Sequence, residues 1–215
     1  MAKWDAFYPF VLPDVPGCPN PAADHALRQA AREFCARTLA WNESLDPQPT
    51  IATLLECEFD LSSDQEIIQI LDATIGTPDP VSGTIAWTDL PVWRIDQLPH
   101  DWKTNPCLHR GIVTPDRLVF HVVPQQCAGL SVVPRVALKP SNSATCVSDD
   151  LFDQYAIDIA SGAKALLMLN PDKPYTNLAL SQYHRGVFES ACATAAVMVG
   201  QSFSQTSRRA RPGYF

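Results

Sequence analysis

The chain has 215 residues, enough for one domain or for one domain carrying an insertion, and 46% of them are hydrophobic, as in a globular protein. The net charge is −7, and since residues 204–215 bring three arginines and no acid, the first 203 residues alone carry −10. An acidic body excludes broad attraction for duplex nucleic acid. No run approaches the ~20 apolar residues of a membrane span, so a soluble protein is expected.

Trp4 to Leu12 is apolar and aromatic and predicts a short helix, after which Pro13-Asp14-Val15-Pro16-Gly17-Cys18-Pro19 must be loop. Asn20 is the expected cap of the next helix, with Pro21 in its first turn and Asp24 at the positive end of the dipole. Ala23, Leu27, Ala30, Ala31, Phe34 and Thr38 share one face, and Arg28, Arg32 and Arg37 lie outside it. The helix is expected to end near Leu39 to Trp41.

The period then changes to two. Leu55, Cys57, Phe59 and Leu61 alternate with Glu56, Glu58 and Asp60, which predicts a half-buried strand with an acidic outer face. Further strands are expected over 66–71, 118–123 and 130–138, the last displaced toward an edge or a bulge by Pro134. Trp87 to Trp102, with three tryptophans and two prolines, reads as a packed loop with a short helical turn. No helix of crossover length separates the strands, so antiparallel pairing is expected.

Helical period returns at Ser148, a cap followed by Asp149 and Asp150. Leu151, Tyr155, Ile159 and Leu166 recur along one side, and Asp172-Lys173-Pro174 turns the chain into a last helix. There Leu180, Tyr183, Val187, Phe188, Ala191, Ala195 and Val199 form the expected apolar stripe. So short a connection makes the two helices antiparallel neighbours. The expected class is therefore α+β: a helical bundle of N- and C-terminal helices, an inserted antiparallel β-rich region and an extended C-terminal tail. The boundaries are 1–41 for the N-terminal helices, 42–147 for the β-rich lobe, 148–203 for the helical hairpin and 204–215 for a docking tail.

The sequence holds no nucleophile elbow, phosphate-binding glycine loop, dinucleotide fingerprint or H-E-x-x-H. Cys107, His109, His121 and Cys127 match no zinc spacing, and strand and loop packing accounts for them. Seven cysteines without a C-x-x-C pair point to free thiols in a reducing setting. The expectation is a protein without enzymatic activity, metal or cofactor. The tail is different in kind: Arg208, Arg209, Arg211, Tyr214 and Phe215 are forks and aromatics of the type that anchor protein interfaces.

The loop 11–19, with the following segment Ala26 to Thr38 and Trp41, resembles the start of tailed-bacteriophage head-to-tail adaptor (connector) proteins. Gly162 to Leu167, Pro174-Tyr175-Thr176-Asn177 and Tyr183 to Phe188 are similar to the helical hairpin of those proteins, and the arginine-rich end closing on Tyr214-Phe215 to their tail. The likeness runs through nearly the whole chain in the same order and is weakest over 42–147. It implies a structural virion protein at the head-to-tail junction, assembled in the host cytoplasm into a ring, usually of twelve copies. The implied partners are the portal, a tail or nozzle protein and further copies of the chain, with packaged DNA passing through the channel without sequence-specific binding, and no membrane. Portal docking is expected at Arg208, Arg209, Arg211, Tyr214 and Phe215, and ring contacts between Arg28, Arg32 and Arg37 and the acidic Glu56, Glu58 and Asp60. The alternatives are a tail-tube or stopper protein of the same particle and a small phage-encoded hydrolase.

Overall fold

The computed structural model describes residues 1–50, 56–78, 85–103, 109–116, 118–123 and 130–200, Glu56 by its backbone alone. The chain opens with β1 (Ala2–Lys3), then two 3-10 turns (Trp4–Phe7 and Leu12–Asp14) around α1 (Tyr8–Val11), then α2 (Asn20–Thr38). There follow β2 (Asn42–Ser44), β3 (Gln48–Pro49), β4 (Glu56–Glu58), β5 (Gln65–Pro78), β6 (Ile85–Leu90) and β7 (Val92–Trp93). After a 3-10 turn at Ile95–Gln97 come β8 (Gly111–Val113), β9 (Val119–Val123), β10 (Ser131–Pro140) and β11 (Cys146–Val147). Two helices close the described chain, α3 (Asp149–Met168) and α4 (Leu178–Gly200). The class is mixed α+β with mainly antiparallel sheets. Two compact units result: residues 1–4 with 41–152, and residues 5–40 with those from 153 onward.

In the first unit β5 and β10 form a long antiparallel ladder. Val132 faces Ile75, Val136 faces Ile70 and Leu138 faces Ile67, and all six are buried. Hydrophobic pairs on one face are the unit of sheet stability. On the other face Arg135 meets Asp72 at 2.8 Å and Lys139 meets Glu66 at 3.2 Å, both as directly opposed residues. The ladder slips after Arg135 and again after Ala137. Pro134 is therefore one residue from a bulge, as expected, but β10 is not an edge strand, because β2 and β3 pair with its other side. The proline sits between the stretches that β3 and β2 cover, where no ladder hydrogen bond is demanded of its nitrogen, and its carbonyl accepts from Leu45.

Two expectations fail in this unit. Trp87 lies not in a loop but in β6, which pairs with β5 over its whole length and brings the indole onto Gly76, where a Cβ would lie 3.0 Å from the ring. β7 and β8 pair in parallel, within a second sheet of order β4-β9-β8-β7. Gly111 makes that pairing possible. A Cβ there would lie 1.9 Å from Nε1 of Trp93, so the indole can pack only on bare backbone, and the Ile112 amide donates to the Pro91 carbonyl at 2.9 Å. The expected acidic strand is present as the short β4, with Glu58 and Asp60 exposed and the Phe59 ring tilted against buried Phe120 at 5.0 Å.

In the second unit α2 begins one residue earlier than expected. Asn20 is already helical and Pro19 takes the cap position in extended conformation, so the cap supplies no side-chain acceptor. The helix ends at Leu39 in the left-handed region, with its amide donating to the Cys35 carbonyl. Phe34 lies 4.9 Å from the ring of Tyr155 on α3 and 6.2 Å from Phe188 on α4. Gly162 marks where three helices converge, since a Cβ there would meet Phe188 at 2.7 Å and Ala30 at 3.1 Å. Small residues permit this approach, and Ala30, Ala31, Ala160 and Ala163 are all buried around it.

Candidate functional site

The residues that single out the first loop and the hairpin in the sequence come together in space. Asp14 accepts from Nζ of Lys164 at 2.8 Å, and Lys164 is 9% exposed. That hydrogen bond holds the Asp14 carboxyl below its ordinary range, and burial of the pair is opposed to it. Pro174 packs on Gly17, whose φ of +80° requires glycine. Tyr175 is buried and hydrogen-bonds Cys18, and burial raises both groups. Asn177 caps α4 by accepting from the Leu180 amide at 3.1 Å, while its own amide donates to the Met168 carbonyl at 3.0 Å. Ser181 donates to the Ala165 carbonyl at 2.7 Å, which ties the two helices of the hairpin together. His184 stands near Lys164 and Asp14, and its pKa is lowered first by burial and then by the Lys164 charge. Every one of these contacts fixes a segment, and none presents an activated nucleophile.

A second polar group joins α2 to α4. Arg185 forks onto Glu33 at 2.6 and 2.9 Å and reaches Glu189 at 3.0 Å, while Arg37 donates to the same Glu33 at 3.3 Å. The Arg185 hydrogen bond is the main reason the Glu33 carboxyl is held low. Sequence reasoning missed Arg185, since nothing along the chain links positions 33 and 185. Its one available signal was the charge spacing of Glu33 with Arg37 and of Arg185 with Glu189, each four residues apart on a helix.

Of the expected ring-contact residues, Arg37 is committed to Glu33, and Arg28 and Arg32 are half-buried with partners of their own. These three lie in the helical unit, whereas Glu58 and Asp60 are exposed in the β-rich unit, and the side chain of Glu56 lies outside the described residues. The expected docking residues Arg208, Arg209, Arg211, Tyr214 and Phe215 also lie outside them.

α4 departs from the expected stripe. Phe188 and Ala195 are buried as expected, but they share their face with Ser181 and Cys192, while Leu180 and Tyr183 are 45% and 64% exposed. The helix is apolar on both sides. Its outward side, the adjoining α3 and the connection between them leave Ile157, Leu169, Leu178, Leu180, Val197 and Met198 exposed. Between α3 and α4 runs an open groove of about 840 Å³, floored by Tyr155 and Asp158 and walled by Tyr183, Gly186, Val187 and Met198.

Among the described residues no group of three or more His, Cys, Asp or Glu side chains is placed to hold a metal, and no helix is long and apolar enough to cross a membrane. Cys18, Cys35, Cys57, Cys146 and Cys192 are free thiols, Cys35 and Cys192 fully buried. No protein-family model matches the chain, and no curated protein matches its sequence.

Proposed function

We propose that the chain is a structural virion protein, the head-to-tail adaptor of a tailed bacteriophage, forming a homo-oligomeric ring that joins the portal to the tail and continues the DNA channel. In this reading the N- and C-terminal helices act as one bundle that carries the β-rich region as an insertion, and the tail docks on the portal through Arg208, Arg209, Arg211, Tyr214 and Phe215. The protein has no catalytic role. One observation carries the reading: Ile157, Leu169, Leu178, Leu180 and Val197 stand exposed on the α3–α4 hairpin of a unit fastened internally by Asp14 with Lys164 and Glu33 with Arg185. Exposed large apolar side chains of this kind are what an assembly face covers. Identical copies joined head to tail bury it repeatedly and close by rotation.

The test is assembly. The purified chain mixed with the portal protein of the same genome should give stacked rings in negative-stain images, and a Leu180→Glu, Val197→Glu variant should remain folded and lose the rings. A chain that stays monomeric with the portal under all conditions of salt and concentration refutes the proposal.

A further inference from the structure

The α3–α4 groove has a shape and a charge that together specify an occupant. Toward one end Gly186 leaves the groove open: a Cβ built there has nothing within 4 Å, and the neighbouring Tyr183 offers a ring that is 64% exposed. At mid-groove lies Asp158, half-buried, with no hydrogen bond or ion pair among the described residues. Burial pushes its carboxyl above the ordinary range, so a cation brought to it recovers lost solvation. The groove thus calls for an extended segment with an arginine or lysine near its middle and an aromatic group near its end.

One segment of this chain has that order of residues and starts beside the groove. The described part of α4 runs to Gly200, two residues past the groove-lining Met198, and residues 201–215 follow in sequence, with Arg208, Arg209 and Arg211 ahead of Tyr214 and Phe215. From Met198 back to Gln182 the helix runs about 24 Å at ~1.5 Å per residue. Fifteen extended residues span up to about 50 Å at ~3.3 Å each, which leaves ample length for the reversal. Asp158 lines the groove together with Ala191 and Ala195 of α4, which stand about 14 and 8 Å back from Gly200 at ~1.5 Å per residue, within reach of Arg208. The aromatic pair, three to seven residues beyond the tail arginines, then falls near Tyr183 and Gly186.

We infer that residues 204–215 dock into the α3–α4 groove of their own chain, with a tail arginine on Asp158 and Tyr214 or Phe215 against Tyr183 over the open Gly186. Tethering gives the tail a high effective concentration at this site, so a modest intrinsic affinity suffices to hold it. The tail is then parked until a stronger partner competes for it. The inference is independent of the ring proposal, because it concerns the isolated chain.

The experiment uses the full-length chain with a photo-crosslinking benzoyl-phenylalanine in place of Phe215, irradiated at low micromolar concentration. Expected are intramolecular crosslinks to Tyr183, Val187 or Ser190, identified by peptide mass mapping. In parallel, trypsin should cut unlabelled wild-type chain after Arg208 and Arg209 more slowly than it cuts Gly186→Leu, which occupies the open space at Gly186, or Asp158→Asn, which removes the charge. Loss of one charge-assisted contact should raise the cutting rate about tenfold. Gly186 is an open helical position and Asp158→Asn is isosteric, so both variants should keep the wild-type circular dichroism. Crosslinks elsewhere, crosslinked dimers showing docking on a second copy, or equal cutting rates in all three chains would overturn the inference. None of these results bears on whether the portal binds.

Discussion

The two units hold themselves together by different means. In the helical unit the helices touch where side chains are smallest, at Gly162, Ala30 and Ala163, and are then locked by a few polar fasteners, Asp14 to Lys164 and Glu33 to Arg185. In the β-rich unit large branched residues face one another along β5 and β10, and opposed charges line the outer face. Close approach leaves no slack for added volume, whereas a ladder of paired strands spreads a defect over many contacts. The units should therefore fail differently when perturbed.

The largest contrast is expected at Gly162. Leucine there drives a side chain into Phe188 and Ala30, and overpacking at a junction of three helices should cost about 3 kcal/mol or more, seen as loss of helical ellipticity at lower urea. Phe34→Ala should cost about 3–5 kcal/mol in the same unit, since its ring bridges Tyr155 and Phe188. Val132→Ala, by contrast, removes less volume from a paired strand and should cost roughly 1–3 kcal/mol, with β-sheet signal largely kept at moderate urea. Equal losses at Gly162 and Val132 would erase the distinction.

Acid should separate the units next. Asp14 and Glu33 have folded pKa values below their ordinary ones, so their stabilisation is complete above the ordinary carboxylate range and is lost as pH falls through the lowered values. His184 is also lowered, from an ordinary 6.5, so its contribution is present above that pH and is lost as pH falls toward the folded value. Urea midpoints of the helical signal should decline from about pH 6.5 downward. His184→Gln should flatten the upper part of that decline and Asp14→Asn the lower part, as fluorescence and dichroism melts across pH would show.

The smallest effect has the opposite sign. Gly186→Ala adds a methyl into open space in a helix and should stabilise by about 0.5–1 kcal/mol, a rise in melting temperature of the helical unit.

Much of this architecture was legible along the chain, and the misses have physical causes. α2 and α3 stand within a residue of where the prolines and the 3.6 period put them, although Pro19 and not Asn20 takes the α2 cap, and β9 and β10 stand where continuous branched runs lie. α4 misled because it is apolar all round, so periodicity alone does not choose between the Phe188 face and the Leu180 face. β6 was hidden because Trp87 sits among prolines, and only its partner Gly76 reveals why an exposed indole belongs in a strand. The parallel β7–β8 pair depends on a bare backbone at Gly111 that becomes meaningful only once Trp93 is placed on it. The Asp14–Lys164 and Glu33–Arg185 fasteners join residues about 150 positions apart, a distance over which no local pattern speaks.

Cryo-electron microscopy of the chain incubated with the portal of its own genome tests the adaptor proposal most directly. The expected image is a closed ring of copies seated under the portal, with Ile157, Leu180 and Val197 buried between neighbouring helical hairpins and the tail density on the portal. A portal that stays bare while the chain remains monomeric, or a ring in which those side chains still face solvent, would contradict it.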